Sequence, residues 1–450
     1  MNPNEPIRDA RTLGVPKMLL LGLQHMFAMF GATIVVPIIV QGYGLPLSIQ
    51  TTLFFAGIGT LFFHLCSKFK VPAFLGSSFA FLGGFYTMAN LNTGIYASME
   101  SAEKLQYACG GVVVAGLLYL ILALIVKAVG VQRVMRFLPP VVTGPIIICI
   151  GLSLAPSAVS SASTCWPLAL IALAVVVIFN IWGKGMFKII PILLGVVISY
   201  IAAVILNACG MTNVDGSAIL DFTAVASASV VGLPPFQLAK FDLSSILVMA
   251  PIAIATMMEH IGDMSAISAT TGGNFFEDPG LHRTLVGDGI ATSLSALFGG
   301  PANTTYGENT GVLVLSRVHD PRVIRIAACF AILLGFIPKV AELIGSMPSA
   351  IVGGVSFILY GMISAIGVRN VVENKVDLTK SRNLIIAAVI LVCGLGFSDG
   401  LTFTVGGAPV TLTSLAIAAI AGIVLNAILP GKDYEFGTNP EGDQNRGIHA

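Results

Sequence analysis

Charge is scarce in this chain. Asp, Glu, Lys and Arg make up only 10% of its 450 residues, against about a quarter in a soluble globular domain. The net charge of +1 comes with no basic patch along the sequence, so no nucleic-acid partner is expected. Paired cysteine spacing is missing too: the seven cysteines sit mostly in apolar runs such as IIICIG and LVCGLG, where they act as small packers rather than disulfides or zinc ligands. No P-loop, zinc spacing or nucleophile elbow occurs, so neither an enzyme, a metal nor a cofactor is expected. The first 16 residues, MNPNEPIRDARTLGVP, are too polar for a cleavable signal peptide.

Apolar length is abundant instead. Hydrophobic residues reach 56% and mean hydropathy is +0.91. Runs of about 20 apolar residues recur, as in a helical membrane protein. Candidate spans are 17–41, 48–67, 73–90, 106–127, 138–157, 165–182, 188–208, 244–270, 283–299, 301–317, 322–344, 347–367, 381–398 and 408–429. An even count of fourteen puts both termini on one side. With that side cytoplasmic, 20 of the 23 Lys and Arg fall there, and only Lys104, Lys240 and Lys339 fall opposite. That asymmetry is the positive-inside signature of a multi-pass cell-membrane (plasma or inner) protein.

Two spans read poorly as helices. VPAFLGSSFAFLGGFY and GPANTTYGENTGVLVLS both begin Gly-, Ser- and Thr-rich after a Pro-Ala pair. Broken spans in corresponding places of two halves point to a transporter binding site, because unwound backbone survives at membrane depth only where it lines a cavity or is buried in protein. The correspondence can be counted. Phe79 follows Pro72 by seven residues and Glu308 follows Pro301 by seven, in spans three and ten. Gln24-His25 in span one matches Glu259-His260 in span eight. Pro139 and Gly144 in span five match Pro348 and Gly353 in span twelve. All three pairs lie seven spans apart in the same order. Seven is odd, so the halves enter the membrane in opposite senses: an inverted repeat of seven plus seven, with short extended pieces in spans three and ten.

The candidate chemistry follows. An ionisable group at bilayer depth costs at least about 2.5–3.5 kcal/mol on insertion scales, so Glu259 in MMEHIGDMSA and Glu308 in NTTYGENTGV are expected to grip a ligand or a proton. Half-helix starts near Ser78-Phe79 and Gly307-Glu308 would present backbone N–H donors and positive dipole ends. Gly76 and Gly307 would let a ligand approach the backbone, and Phe79 could stack on a flat ring. A ring with adjacent N–H and C=O groups, such as a pyrimidine dione, wants such donors beside a carboxylate. Asp263, one turn after Glu259, shares its helix face; two close carboxylates raise one pKa and make a proton acceptor. Asp288 could join that relay or be structural. His25 and Tyr306 could support it by hydrogen bonds, and Tyr360 in span twelve could face the cavity from the other half-bundle. His64 reads as incidental.

LQHMFAMFGATIVVP, VPAFLGSSFAF, MMEHIGDMSA, PGLHRTLVGDG and NTTYGENTGV together resemble the nucleobase–ascorbate transporter family, from about residue 15 to 430, most like its bacterial uracil-transporting branch. The resemblance implies an all-α polytopic protein of fourteen transmembrane segments. A core domain (17–127 and 244–344) and a gate domain (128–208 and 345–429) would be flanked by tails 1–16 and 430–450, with an extracytoplasmic loop at 209–243. It also implies proton-coupled uptake of uracil, with Glu259 and Glu308 holding the base, Phe79 and Gly307 touching it, and His25 and Tyr306 in support. Two departures matter. Asp263 stands where the uracil pattern has histidine and Asp288 where it has asparagine, as in the xanthine and purine branch. Glu308-Asn309 is the uracil-type pair. A xanthine or other purine symporter is therefore the alternative reading, and an anion exchanger of related architecture a further one. The implied partners are the nucleobase, protons, membrane lipid and a second copy docked through the gate helices.

Overall fold

In the computed structural model the described residues are 6–434, apart from 93, 399, 406, 407 and 433; the side chains of 189, 308, 404, 405 and 408–410 also lie outside the described residues. Helices dominate. In chain order they include α1 (Val15–Gly42), α2 (Ile49–Cys66), α3 (Leu82–Asn90), α4 (Ser101–Val129), α5 (Pro140–Ser153), α6 (Ala155–Ala162), α7 (Trp166–Trp182), α8 (Pro191–Ala208), α9 (Leu243–Met249), α10 (Ile252–Thr271), α11 (Leu281–Leu297), α12 (Gly307–Ser316), α13 (Pro321–Gly335), α14 (Pro338–Gly345), α15 (Ser349–Glu373), α16 (Ser381–Gly396) and α17 (Ser414–Ile428). Among the described residues, seven helical stretches are long and apolar enough to cross a membrane, or eight if the bent pair α13–α14 counts as one. The protein is a multi-pass membrane protein.

Two groups of helices pack among themselves. α11 lies between α2 and α4, and α13 covers α1 and α2. Separately, α15 packs on α5, α6 and α7, while α16 joins α5 and α17. Glycines allow close approach within each group: a Cβ on Gly116 of α4 would lie 2.5 Å from the Gly289 carbonyl of α11, and one on Gly151 of α5 would lie 2.2 Å from the Tyr360 carbonyl of α15. Small residues at helix crossings are how membrane helices gain contact without a hydrophobic driving force between them.

Two short strands interrupt the first group. β1 (Leu75–Ser77) and β2 (Asn303–Thr305) pair antiparallel, Leu75 opposite Thr305 and Ser77 opposite Asn303. The ladder extends at both ends, from Ser78 N–H to the Ala302 carbonyl at 2.9 Å and from Tyr306 N–H to the Phe74 carbonyl at 3.0 Å. In the membrane interior every backbone polar group needs such a partner. Neighbouring helices supply the rest: Thr60 of α2 accepts from Leu75 N–H at 2.9 Å, and Thr292 of α11 accepts from Asn303 N–H at 3.2 Å. His64, read from sequence as incidental, is fully buried with Nε2 2.8 Å from the Ala73 carbonyl and fixes the approach to β1.

Two candidate spans are not continuous helices. The candidate span 408–429 is not helical throughout: Ala408–Leu412 is a strand (β4) paired with Leu401–Val405 (β3), and helix begins only at Ser414. The β-branched, alternating LTFTV and APVTL runs prefer a hairpin. Span 322–344 bends by 85° between α13 and α14, because Pro338 lacks an N–H and drives Ile337 out of helical geometry, to φ −116° and ψ 85°. Part of the 1–16 tail is docked. Ile7 bridges to Val318, Ala10 is fully buried, and Arg322 binds both Asp9 and Asp320 at 2.9 Å. Hydrogen bonds from Arg11 hold the Asp9 carboxyl down to about 2, so Asp9 stays a carboxylate at any cellular pH.

Candidate functional site

Where β1 and β2 cross, the first group meets the second around a cavity of about 40 Å³. Its polar wall is Glu259, Gly262 and Asp263 from α10 with Thr304, Thr305, Tyr306 and Gly307; Phe79 closes one side, and Ile147 of α5 with Ile363 and Ile366 of α15 face them. Five of the residues expected from sequence therefore share one wall: Phe79, Glu259, Asp263, Tyr306 and Gly307. Glu259 and Asp263 arrive together because positions four apart lie on one helix face. Asp263 is buried and accepts a 2.7 Å hydrogen bond from Thr305 Oγ1, which ties α10 to β2.

Tyr306 is placed by a network. Its hydroxyl donates to the Ser77 carbonyl at 2.9 Å and lies 3.4 Å from Thr33 Oγ1 and 3.2 Å from Ser77 Oγ. Its ring lies against Gly76: a Cβ there would sit 2.4 Å from two ring atoms. The glycine expected to admit a ligand thus admits a tyrosine. Gly307 differs, since its Cβ would meet only Ile366 Cδ1 at an ordinary 3.7 Å.

The remaining candidates lie around this wall. Phe79 contacts Tyr360 edge to face, with ring centroids 5.8 Å apart, so Tyr360 touches the site through Phe79. Ser78 is fully buried and spends its N–H on the strand ladder; the helix after β1 starts only at Leu82, so the N–H donors expected at Ser78-Phe79 belong to a turn. His25 accepts through its carbonyl from Asn309 Nδ2 at 3.0 Å, which anchors α12 to α1. Asp288 is away from the cavity wall: fully buried, it pairs with His260 at 2.9 Å, with the Phe63 ring beside the histidine. Glu308 stands at the second position of α12, and its side chain lies outside the described residues. Sequence reading missed Thr305, Thr60 and Thr292. The Thr-rich start of span ten hinted at Thr305, and nothing local marked Thr60 of α2 or Thr292 of α11.

Chemically, the wall offers one acidic helix face, an aromatic ring, threonine hydroxyls and the start of a ten-residue helix, opposite an aliphatic wall. The acceptors on this wall complement N–H donors. Among the described residues no cluster of His, Cys, Asp or Glu could hold a metal ion.

The fold is shared with solved structures of membrane proteins. It matches the transmembrane domain of the cyanobacterial bicarbonate transporter BicA with a TM-score of 0.63 over 88% of this chain and 98% of that one, at 18% identity. It matches the murine anion transporter Solute Carrier 26 family member A9 in its inward-facing state with a TM-score of 0.61 over 92% of this chain and 68% of that one, at 10% identity. At such identities the likeness is one of fold. Residues 16–402 match the xanthine and uracil permease model, described as Permease family. The chain is 40% identical to the uracil permease of Bacillus caldolyticus over 441 residues (95% of this chain, 94% of that one). It is likewise 40% identical to that of Bacillus subtilis over 427 residues (91% of each), and 36% identical to that of Escherichia coli over 419 (91% and 90%). The chain belongs to this permease family, the nucleobase–ascorbate transporters, and is a transporter rather than an enzyme.

Proposed function

We propose that the protein imports uracil together with a proton, by alternating access. The observation that carries this reading is the pairing of Glu259 and Asp263 with Phe79 around one cavity at the strand crossing, in a chain 36–40% identical to proteins named uracil permeases. Glu259 and Glu308 accept from the ring N–H groups, the start of α12 near Gly307 donates to a carbonyl, and Phe79 stacks on the ring. Asp263 carries the proton-linked charge, with His25, Tyr306, Ser78 and Asp288 in support and Tyr360 closing over Phe79.

The fourteen-span, seven-plus-seven inverted arrangement belongs to the same proposal. In its favour, Thr60 of α2 and Thr292 of α11 serve β1 and β2 in the same way, and those helices are seven candidate spans apart. Both termini are then cytoplasmic. The core domain (17–127, 244–344) moves against the gate domain (128–208, 345–429), which also forms the homodimer contact. A 40 Å³ cavity holds little more than water, so Ile147, Ile363 and Ile366 of the gate must draw back from α10 for a ring to enter. An anion exchanger of the same fold fits less well, because Glu259 and Asp263 repel an anion.

Proteoliposomes given radiolabelled uracil under an imposed pH gradient test this. Accumulation that follows the gradient, blocked by unlabelled uracil and 5-fluorouracil but not by xanthine or guanine, is the expected result. Uptake blind to the gradient contradicts proton coupling, and competition by xanthine transfers the site to purines.

A further inference from the structure

At the face where α4 ends and α11 starts, these two helices flank a groove of about 460 Å³ away from the cavity at the strand crossing. Its floor is apolar, with Leu120 and Leu124 of α4 and Val286 of α11; its rim is basic, with Lys127, His282 and Arg283. Lys68 stands in the turn after α2, two residues beyond Cys66, which also lines the groove. Among the described residues no carboxylate lines the groove. Asp278 is taken by Lys70, and neither it nor the exposed Glu277 lines the groove. Lys68 and Lys127 are exposed and make no ion pair among the described residues. Arg283 spends one nitrogen on the Cys66 carbonyl at 3.4 Å. The positive dipole end of the 17-residue α11 adds to the field.

What could occupy a basic rim over an apolar floor follows from what the groove opens onto. Leu117, Ile121, Leu124 and Ile125 on the adjoining face of α4 are 45%, 54%, 66% and 46% exposed. On a membrane helix such side chains face acyl chains. A soluble anion gains nothing from that floor, whereas a phospholipid fills both parts. The bias of Lys and Arg assigns this face to the cytoplasmic leaflet, where anionic lipids concentrate.

We propose that this groove is a binding site for an anionic phospholipid of the cytoplasmic leaflet, its phosphate held by Lys127, His282 and Arg283 and one acyl chain lying along Leu120, Leu124 and Val286. The site is independent of which nucleobase the protein carries. It bears on transport because α11 also holds Asp288 against His260, so a lipid clamping the start of that helix steadies the buried pair.

The test is native mass spectrometry of the purified full-length protein in detergent, titrated with phosphatidylglycerol or phosphatidylcholine. The expected result is a retained phosphatidylglycerol adduct with no matching phosphatidylcholine adduct. Lys68→Gln with Lys127→Gln changes two exposed side chains that the fold does not use, and should weaken the adduct between about five- and thirty-fold. Lys184→Gln, an equally exposed loop lysine on the gate side, should leave it unchanged. Equal retention of the two lipids, or an undiminished adduct in the double variant, overturns the proposal. Displacement by sn-glycerol 3-phosphate at matching concentration also overturns it, since the occupant would then be a soluble anion.

Discussion

From Pro72 to Asn90 the chain runs as a three-residue strand, a turn and a nine-residue helix; from Pro301 to Ser316 it runs as a three-residue strand and, directly after Tyr306, a ten-residue helix. The two segments pair with each other but are filled differently. The first is apolar and aromatic, burying Phe74, Leu75, Phe79, Phe81 and Phe85; the second is polar, burying Asn303, Thr304, Thr305 and Asn309. Their supports differ as well. The buried Lys104 reaches the C-terminal end of α3, donating to the Ala89 carbonyl at 3.3 Å and to Asn92 at 3.0 Å. The end of α12 is instead followed by the clasp of Ile7 on Val318. One backbone device thus serves two ends: one segment supplies a ring face and the other supplies hydrogen-bonding groups. The proposed uracil site uses both.

The sharpest way to break this pairing is Gly76→Ala. Its methyl would fall 2.4 Å from the Tyr306 ring and 2.7 Å from Thr33 Oγ1, so the strands must part. Overpacking of this kind costs about 1–3 kcal/mol; uracil uptake should disappear and the melting temperature should fall. The matching change in the other segment, Gly307→Ala, should leave the melting temperature alone. Equal destabilisation by the two would show that the segments are not packed differently.

Asp263→Asn comes next. The amide oxygen can still accept from Thr305, so stability should change by less than about 1 kcal/mol, while the pH profile of uptake shifts. An unchanged profile would make Asp263 merely the anchor of β2. Tyr306→Phe removes the hydroxyl that joins Ser77 to Thr33 and should cost about 0.5–1.5 kcal/mol in thermal or denaturant unfolding. The smallest effect is expected from Lys104→Gln, about 0.3–1 kcal/mol from loss of a cation at the end of α3. It should appear as faster amide exchange in α3 with α12 unaffected, and a change spread over both helices would contradict separate supports.

Much of this was legible beforehand. The Pro-Ala pairs and the small polar residues after them marked where helix gives way, because such sequences cannot hold a continuous apolar helix. Glu259 and Asp263 were legible because helix periodicity alone puts them on one face. Other features depend on which elements meet. Nothing local to Gly76 says that a tyrosine 230 residues away lies on it, and nothing local to Asp288 says that its partner is His260. The hairpin of β3 and β4 was masked by overall hydrophobicity, although two β-branched five-residue runs around Gly-Gly are a hairpin signal.

The most direct test is equilibrium binding of radiolabelled uracil to purified wild-type protein and to Glu259→Gln, each checked for an unchanged melting temperature. Loss of a charged acceptor should weaken binding by roughly 10- to 150-fold. A folded Glu259→Gln protein that binds uracil as tightly as wild type would contradict a site built on the acidic face of α10.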